Sequence, residues 1–258
     1  MAPGKGGAER FWCGVLMRYG IFSDVHSNLE ALDAVVEAYK KESIDKYFCI
    51  GDVVGYGANP RECVERVSRL VALTVAGNHD WGSVNLFPLS YFNPLAAEAL
   101  LWTNRQLDSG CAYFLESLKP VYQDSSLTLA HGTLDEPQQF NYMFDDNTAD
   151  KTFRLLDTNI CFVGHTHMAG IFKKDKNGNV TYLRKLALSI EEGSSYIVNA
   201  GSVGQPRDGN NQAAFCVYDT TLKTVEIKRV PYDIAKTRKK IIAAGLPQYL
   251  GDRLLSGR

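Results

Sequence analysis

Five short stretches carry nearly all the side chains able to do chemistry. They are Asp24-Val-His26, Gly51-Asp52, Gly77-Asn78-His79-Asp80, Ala130-His131-Gly132 and Gly164-His165-Thr-His167, and they hold all five histidines of the chain. Each piece alone reads as a structural histidine or a turn. Together, with no histidine left for another task, they read as a metal centre. Imidazole nitrogen and carboxylate oxygen without a convergent cysteine suit divalent Mn, Fe, Zn, Co or Ni, with Mn preferred. Asp24, His26, Asp52, Asn78, His131, His165 and His167 are too many ligands for one tetrahedral zinc. They suit two ions that share a bridging carboxylate. Only Asp24 and Asp52 among them are anionic, so two divalent ions leave the cluster about two charges positive. A centre of that kind attracts phosphate oxygens and makes bound water more acidic.

The elements that must position these residues follow from the apolar pattern. Arg18–Ser23, Lys46–Ile50 and Val71–Ala76 read as strands. Between them, 28–42 has Leu29, Leu32, Val35, Val36 and Tyr39 at helical spacing behind Ser27 as N-cap, and Asn59-Pro60 opens a second helix. Strand–helix alternation implies right-handed crossovers and a parallel sheet, whose carboxyl-end loops converge. Asp24, Asp52 and the Asn78-His79 pair end three successive strands, and every histidine is expected in a loop just after a strand. Helical stretches at 94–107 and 111–118 interrupt the rhythm, so a helical insertion is expected near 83–120. A strand at 127–130, a helix at 147–156 and a strand at 160–163 follow. Beyond Gly164 the pattern turns β-rich, with a hairpin turn at Lys176-Asn-Gly-Asn, strands at 196–198, 213–218 and 224–230, and a closing helix over 233–244.

Composition narrows the function classes. The formal net charge is −1, which gives no footprint for nucleic acid or a membrane surface. No apolar run reaches the ~18 residues of a bilayer span. Six cysteines, Cys13, Cys49, Cys63, Cys111, Cys161 and Cys216, form no CxxC pair and read as buried thiols of a cytoplasmic protein rather than a disulfide framework. Met17 reads as a natural start. Residues 1–16 are therefore expected as an extension outside the fold and 17–258 as one domain without repeats.

The ordered motifs resemble those of the calcineurin-like metallophosphoesterases, most closely the small phosphodiesterase-type members, from Tyr19 to about Asp219. The resemblance implies an α/β fold of two facing mixed sheets flanked by helices, a four-layer αββα sandwich in which the C-terminal half forms much of the second sheet. It also implies that Asp24, His26 and His167 bind a first metal, that Asn78, His131 and His165 bind a second, and that Asp52 bridges. His79 would serve the leaving oxygen, and Asp80 would orient His79. Activity would be hydrolysis of a small phosphoester or nucleotide by attack of metal-bound hydroxide, a phosphodiesterase first. A phosphomonoesterase or dinucleoside-polyphosphate hydrolase is the alternative, and a protein-binding scaffold of the same fold is the competitor from another class. Tyr56 stands where the superfamily's protein Ser/Thr phosphatases carry a phosphate-clamping arginine, which argues against a phosphoprotein phosphatase.

Two further stretches stay open. In Asn199-Ala-Gly-Ser-Val-Gly-Gln-Pro-Arg207 the backbone at Gly201 and Gly204 is either an anion nest or a plain turn. Arg207 there either binds substrate phosphate or makes a structural ion pair. Phe140, Tyr142 and Phe144 either stack on a nucleobase or leaving group near the metals or belong to an edge strand or packed loop.

Overall fold

A computed structural model describes residues 17–258; the proposed extension over 1–16, with Cys13, lies outside the described residues. In chain order, β1 (Arg18–Phe22), α1 (Leu29–Tyr39), β2 (Lys46–Cys49), α2 (Pro60–Leu70), β3 (Leu73–Thr74) and α3 (Asn78–Ser83) build the first part. Then come α4 (Pro94–Gln106), α5 (Ser109–Ser117), β4 (Val121–Gln123), β5 (Thr128–Ala130), α6 (Asp146–Arg154) and β6 (Ile160–Val163). The rest is β7 (Gly170–Lys174), β8 (Val180–Leu183), β9 (Ala187–Ser189), β10 (Ser195–Asn199), β11 (Ala213–Asp219), β12 (Thr224–Val230), α7 (Ile234–Ala243) and α8 (Gln248–Asp252).

The strands form two six-stranded sheets, ordered β3-β2-β1-β11-β12-β9 and β4-β5-β6-β10-β7-β8. Period-two alternation tells each strand which layer it faces. Tyr19 and Ile21 of β1, Phe162 of β6, Tyr196 and Val198 of β10 and Cys216 and Tyr218 of β11 fill the space between the sheets. The alternate residues point outward. Phe22, Phe215 and Val217 pack under Leu32, Val35 and Tyr39 of α1. Cys161, Val163 and Ile197 pack under Ala149 and Phe153 of α6. The result is helix, sheet, sheet, helix.

Both sheets are mixed. β1, β2 and β3 run parallel, as the strand–helix alternation predicts, but β1 pairs antiparallel with β11. The C-terminal strands divide between the sheets: β7, β8 and β10 join the second, while β9, β11 and β12 complete the first. α1 starts at Leu29, with the Asn28 side chain accepting from Ala31 N; Ser27, expected as the cap, sits one residue too early. α2 begins at Pro60 as predicted. Cys49, Cys63, Cys111, Cys161 and Cys216 are free and buried. No helix among the described residues is long and apolar enough to cross a membrane.

Candidate metal centre and active site

The carboxyl ends of β1, β2, β3, β5 and β6 deliver Asp24 and His26, Asp52, Asn78 and His79, His131, and His165 and His167 to one end of the sandwich. All are buried. Backbone bonds tie the first two loops together: Asp24 N to Gly51 O, His26 N to Asp52 O and Ser27 N to Val53 O, each 3.0 Å. The backbone is left-handed at Asp24 (φ 55°), His26 (50°), Asp52 (53°), His165 (66°) and His167 (60°). That conformation is uncommon for non-glycine residues and clusters at functional sites. Gly77 and Gly164 are required by close approach. A β-carbon on Gly77 would collide with the Asp52 carboxylate, and one on Gly164 with Ser23 Oγ and Asp24 Oδ2.

Two groups of potential ligand atoms share Asp52. Asp24, His26, Asp52 and His167 form one, and Asp52, His131 and His165 the other, with the ligand atoms of each group within 4.8 Å of one another. His167 Nε2 is 3.2 Å from Asp24 Oδ1, His131 Nε2 is 3.2 Å from Asp52 Oδ2, and His26 Nε2 is 3.5 Å from the same Asp52 oxygen. Three rings are aimed from behind. His26 Nδ1 lies 3.1 Å from Val54 O, His131 Nδ1 2.7 Å from Ile50 O and His167 Nδ1 2.6 Å from Gln205 O. A carbonyl accepts only from N–H, so each ring is protonated at Nδ1 and turns Nε2 into the cluster, the usual support for a ligating histidine. Asp24 Oδ1, Asp52 Oδ2, Asn78 Oδ1 and His131 Nε2 are buried without a hydrogen-bond partner. Unpaired buried acceptors are costly, and this donor set fits divalent cations.

Charge in the cluster is set by mutual proximity against burial. Burial disfavours the Asp24 and Asp52 anions, but His167 beside the first and His131 beside the second hold both carboxyls well below their ordinary range. Burial likewise opposes charge on His131, yet the Asp52 carboxylate raises it to about 9. Burial, with Arg207 adding to it, lowers His167 to about 4. Burial also takes His79 and His165 well below the ordinary histidine range.

His79 is placed by its own backbone, whose N–H donates to Asp52 Oδ1 at 2.8 Å. It lies in the first turn of α3 rather than in a loop, a difference from the sequence expectation. Its ring packs against Tyr56 (centroids 4.4 Å), His26 (4.8 Å) and Phe92 (5.0 Å). The expectation that Asp80 orients that ring is corrected. The Asp80 carboxylate accepts from the backbone N–H groups of Asp52 (2.8 Å), Val53 (2.8 Å), Val54 (3.3 Å) and Gly77 (3.0 Å), while His79 Nδ1 has no partner. Burial and then the Asp52 charge raise the Asp80 carboxyl to about 7. Asp80 therefore holds the loop that presents Asp52.

The stretch from Asn199 to Arg207 closes the site from the end of β10. Gly201 N donates to Asn199 Oδ1 at 3.0 Å and Gly204 N to Asp24 O at 2.8 Å. Both amides are consumed internally, so the anion-nest alternative falls and the turn stands. Among the described residues Arg207 pairs with no carboxylate. Its guanidinium donates to Gln205 Oε1 at 2.8 Å and to the Tyr56 hydroxyl at 3.4 Å, and it lies over the Tyr56 ring. Tyr142 stacks face to face on His165 (3.8 Å, 13°) and on Phe144 (5.2 Å, 15°), and Phe140 is buried against Trp81 and Phe87. Of the alternating aromatics only Phe140 is buried; Tyr142 and Phe144 are exposed, and Tyr142 covers one side of His165. Sequence reasoning missed Gln205, which supports both His167 and Arg207. It also missed the carbonyls of Val54 and Ile50, whose roles leave no trace in residue type.

Residues 17–223 match the family model of the calcineurin-like phosphoesterase superfamily domain. A protein of Methanocaldococcus jannaschii, itself uncharacterized, is 42% identical over 242 residues, 92% of this chain and 97% of that protein. The crystal structure of a metallophosphoesterase from Sphaerobacter thermophilus is similar at 39% identity with a TM-score of 0.83, covering 94% of this chain and all of that one. A hypothetical protein from Pyrococcus horikoshii shares the fold at 18% identity, with a TM-score of 0.75 over 93% of this chain and 98% of that one.

Proposed function

We propose that this chain, which belongs to the calcineurin-like phosphoesterase superfamily, hydrolyses phosphoester bonds with two divalent cations, phosphodiesters ahead of monoesters. The observation that carries the reading is the set of buried, unpartnered donor atoms on Asp24, Asp52, Asn78 and His131, gathered where two ligand groups share one carboxylate. In this reading Asp24, His26 and His167 hold one cation, Asn78, His131 and His165 hold the other, and Asp52 serves both. Manganese is the proposed cation. When bound, such ions supply Lewis acidity toward phosphoryl oxygens and make nearby water more acidic.

The chain's own groups do the rest. His79, kept neutral by burial, offers a ring N–H as a hydrogen bond that stabilises charge on the departing alkoxide, which takes its proton from water. Arg207, with no carboxylate to neutralise it, turns its fork toward phosphoryl oxygen while Gln205 and Tyr56 keep it in place. The diester preference rests on Tyr56, a neutral group where a second guanidinium would balance the extra charge of a monoester dianion. The substrate is a small phosphoester or nucleotide, and five buried, unpaired thiols fit a reducing cytoplasm.

The test is hydrolysis of bis-p-nitrophenyl phosphate and the monoester by chelator-stripped protein titrated with Mn²⁺. Diester turnover should be absent at first and return with two Mn²⁺ per chain. His79→Ala should bind both ions yet lose about 100-fold or more in kcat. Two bound ions with no turnover of either ester would sink the proposal.

A further inference from the structure

We infer that the cleft beside His79 receives a nucleoside as the leaving group of the substrate; the inference rests on the phosphoesterase reading for the side on which the ester breaks. The cleft is about 220 Å³, and His79, Asn78 and His165 form part of its lining. That is smaller than the roughly 300 Å³ at which drug-sized pockets begin, so it suits a small planar group. Because His79 lies on its wall, whatever fills the cleft sits on the leaving side of phosphorus.

The lining contains no Asp, Glu, Lys or Arg. A primary-amine leaving group would want a carboxylate and a phosphorylated one would want cations, neither of which lines the cleft; a quaternary ammonium would use the rings alone and leave the amides of Asn93, Gln139 and Asn141 unmatched. One wall is a run of three rings. Phe92 meets His79 edge-on, Phe87 meets Phe92 at 5.8 Å, and Tyr91 packs on Phe87 at 5.2 Å while remaining 70% exposed. Tyr142 opposite is already stacked on His165, which leaves Tyr91 and Phe92 as the platform for an incoming ring. The rim adds amides. Asn93 uses its oxygen to cap α4 and Asn141 uses its nitrogen on Asp135 O, so the NH₂ of the first and the oxygen of the second remain available; Gln139 stands exposed beside them. A flat aromatic face, amide donors and acceptors at the edge and no charge are the complement of a nucleobase. In the reaction, the bond from phosphorus to the nucleoside oxygen breaks and one from phosphorus to the oxygen of water forms. The attacking water gives up a proton and the nucleoside oxygen takes one up, so diester and water become monoester and nucleoside.

Nucleosides carry no phosphate, so binding tests this inference apart from hydrolysis. Adenosine, guanosine, cytidine and uridine, with ribose and p-nitrophenol as controls, are titrated calorimetrically into the full chain and into Tyr91→Ala and Gln139→Ala, both at exposed positions. At least one nucleoside should bind at millimolar concentration or below, ribose should not, and Tyr91→Ala should weaken binding about 10-fold. The inference is overturned if no nucleoside binds, if p-nitrophenol binds as tightly as every nucleoside, or if both variants bind like the parent chain. Diester turnover with no nucleoside binding would remove the nucleoside and leave the hydrolase. Nucleoside binding lost in Tyr91→Ala, with no ester turned over, would do the reverse.

Discussion

Asp80 and His79 are neighbours in sequence but act on different partners, and the difference has a measurable consequence. Four buried N–H groups depend on the Asp80 carboxylate, and an unsatisfied buried donor costs about 1–3 kcal/mol. Asp80→Asn keeps one acceptor oxygen and turns an NH₂ against N–H groups that need an acceptor. It should destabilise the protein by about 2–4 kcal/mol, seen as a lower urea midpoint at unchanged slope, and weaken Mn²⁺ binding because Asp52 loses its frame. If the midpoint stayed put while kcat fell, Asp80 would go back to orienting His79. The residue types of the site were legible because imidazoles are scarce, five in the chain, and each followed an apolar run. What those residues bind behind the cluster was not legible. His26, His131 and His167 all lean on backbone carbonyls, and every residue has a carbonyl.

Among the elements, strands with clean alternation and helices with a cap were readable: β6 and β12 lie where the pattern places them, and α2 starts at its proline. The failures have physical causes. The third strand was expected over Val71–Ala76 but is only Leu73–Thr74, because Val75, though its N–H still reaches Cys49 O of β2, bridges to Lys119 and Ala76 N donates to Lys119 O. β9 is a three-residue edge strand paired to β12 alone, too short and too exposed to show a period. α8 was missed because five residues hold too few turns for helical spacing. Yet α8 matters to the site. Leu250 of α8 packs with Leu254, Ile241 of α7 and Ala96 and Ala99 of α4 in a cluster that includes Tyr56, the ring against His26 and His79. Leu250 is 1% exposed, so Leu250→Ala should cost about 2–5 kcal/mol, measured by urea unfolding. The proposed metal ligands sit on strand ends outside this cluster, so two Mn²⁺ should still bind. Loss of metal binding in folded Leu250→Ala would show that the C-terminal helices help to form the centre itself.

Across the whole molecule, the proposed ligand set joins the two sheets. Asp24, His26, Asp52 and Asn78 follow strands of the first, and His131, His165 and His167 follow strands of the second. The interior between the sheets is apolar and holds them together without direction, whereas the cluster at their common end fixes how the strand ends meet. In the protein without cations, the Asp24 and Asp52 carboxylates at that end lean on His167 and His131, and Asn78 Oδ1 has no hydrogen-bond partner among the described residues. Cations that bind the folded chain and not the unfolded one stabilise it by about 2.7 kcal/mol per site at a concentration 100 times Kd. Two sites give about 5 kcal/mol, and at about 2–4 °C per kcal/mol for a chain of this size the melting midpoint should rise by about 10 °C or more. Scanning calorimetry of chelator-stripped protein, before and after Mn²⁺, measures this. Asp52→Asn, which removes the shared charge, should lose more than half of the shift, since both sites draw on that carboxylate. His165→Ala removes a ligand of one group only and should keep about half. Equal residual shifts in the two variants would mean that Asp52 is not shared, and an unmoved midpoint in the parent chain would mean that the strand ends hold no cation.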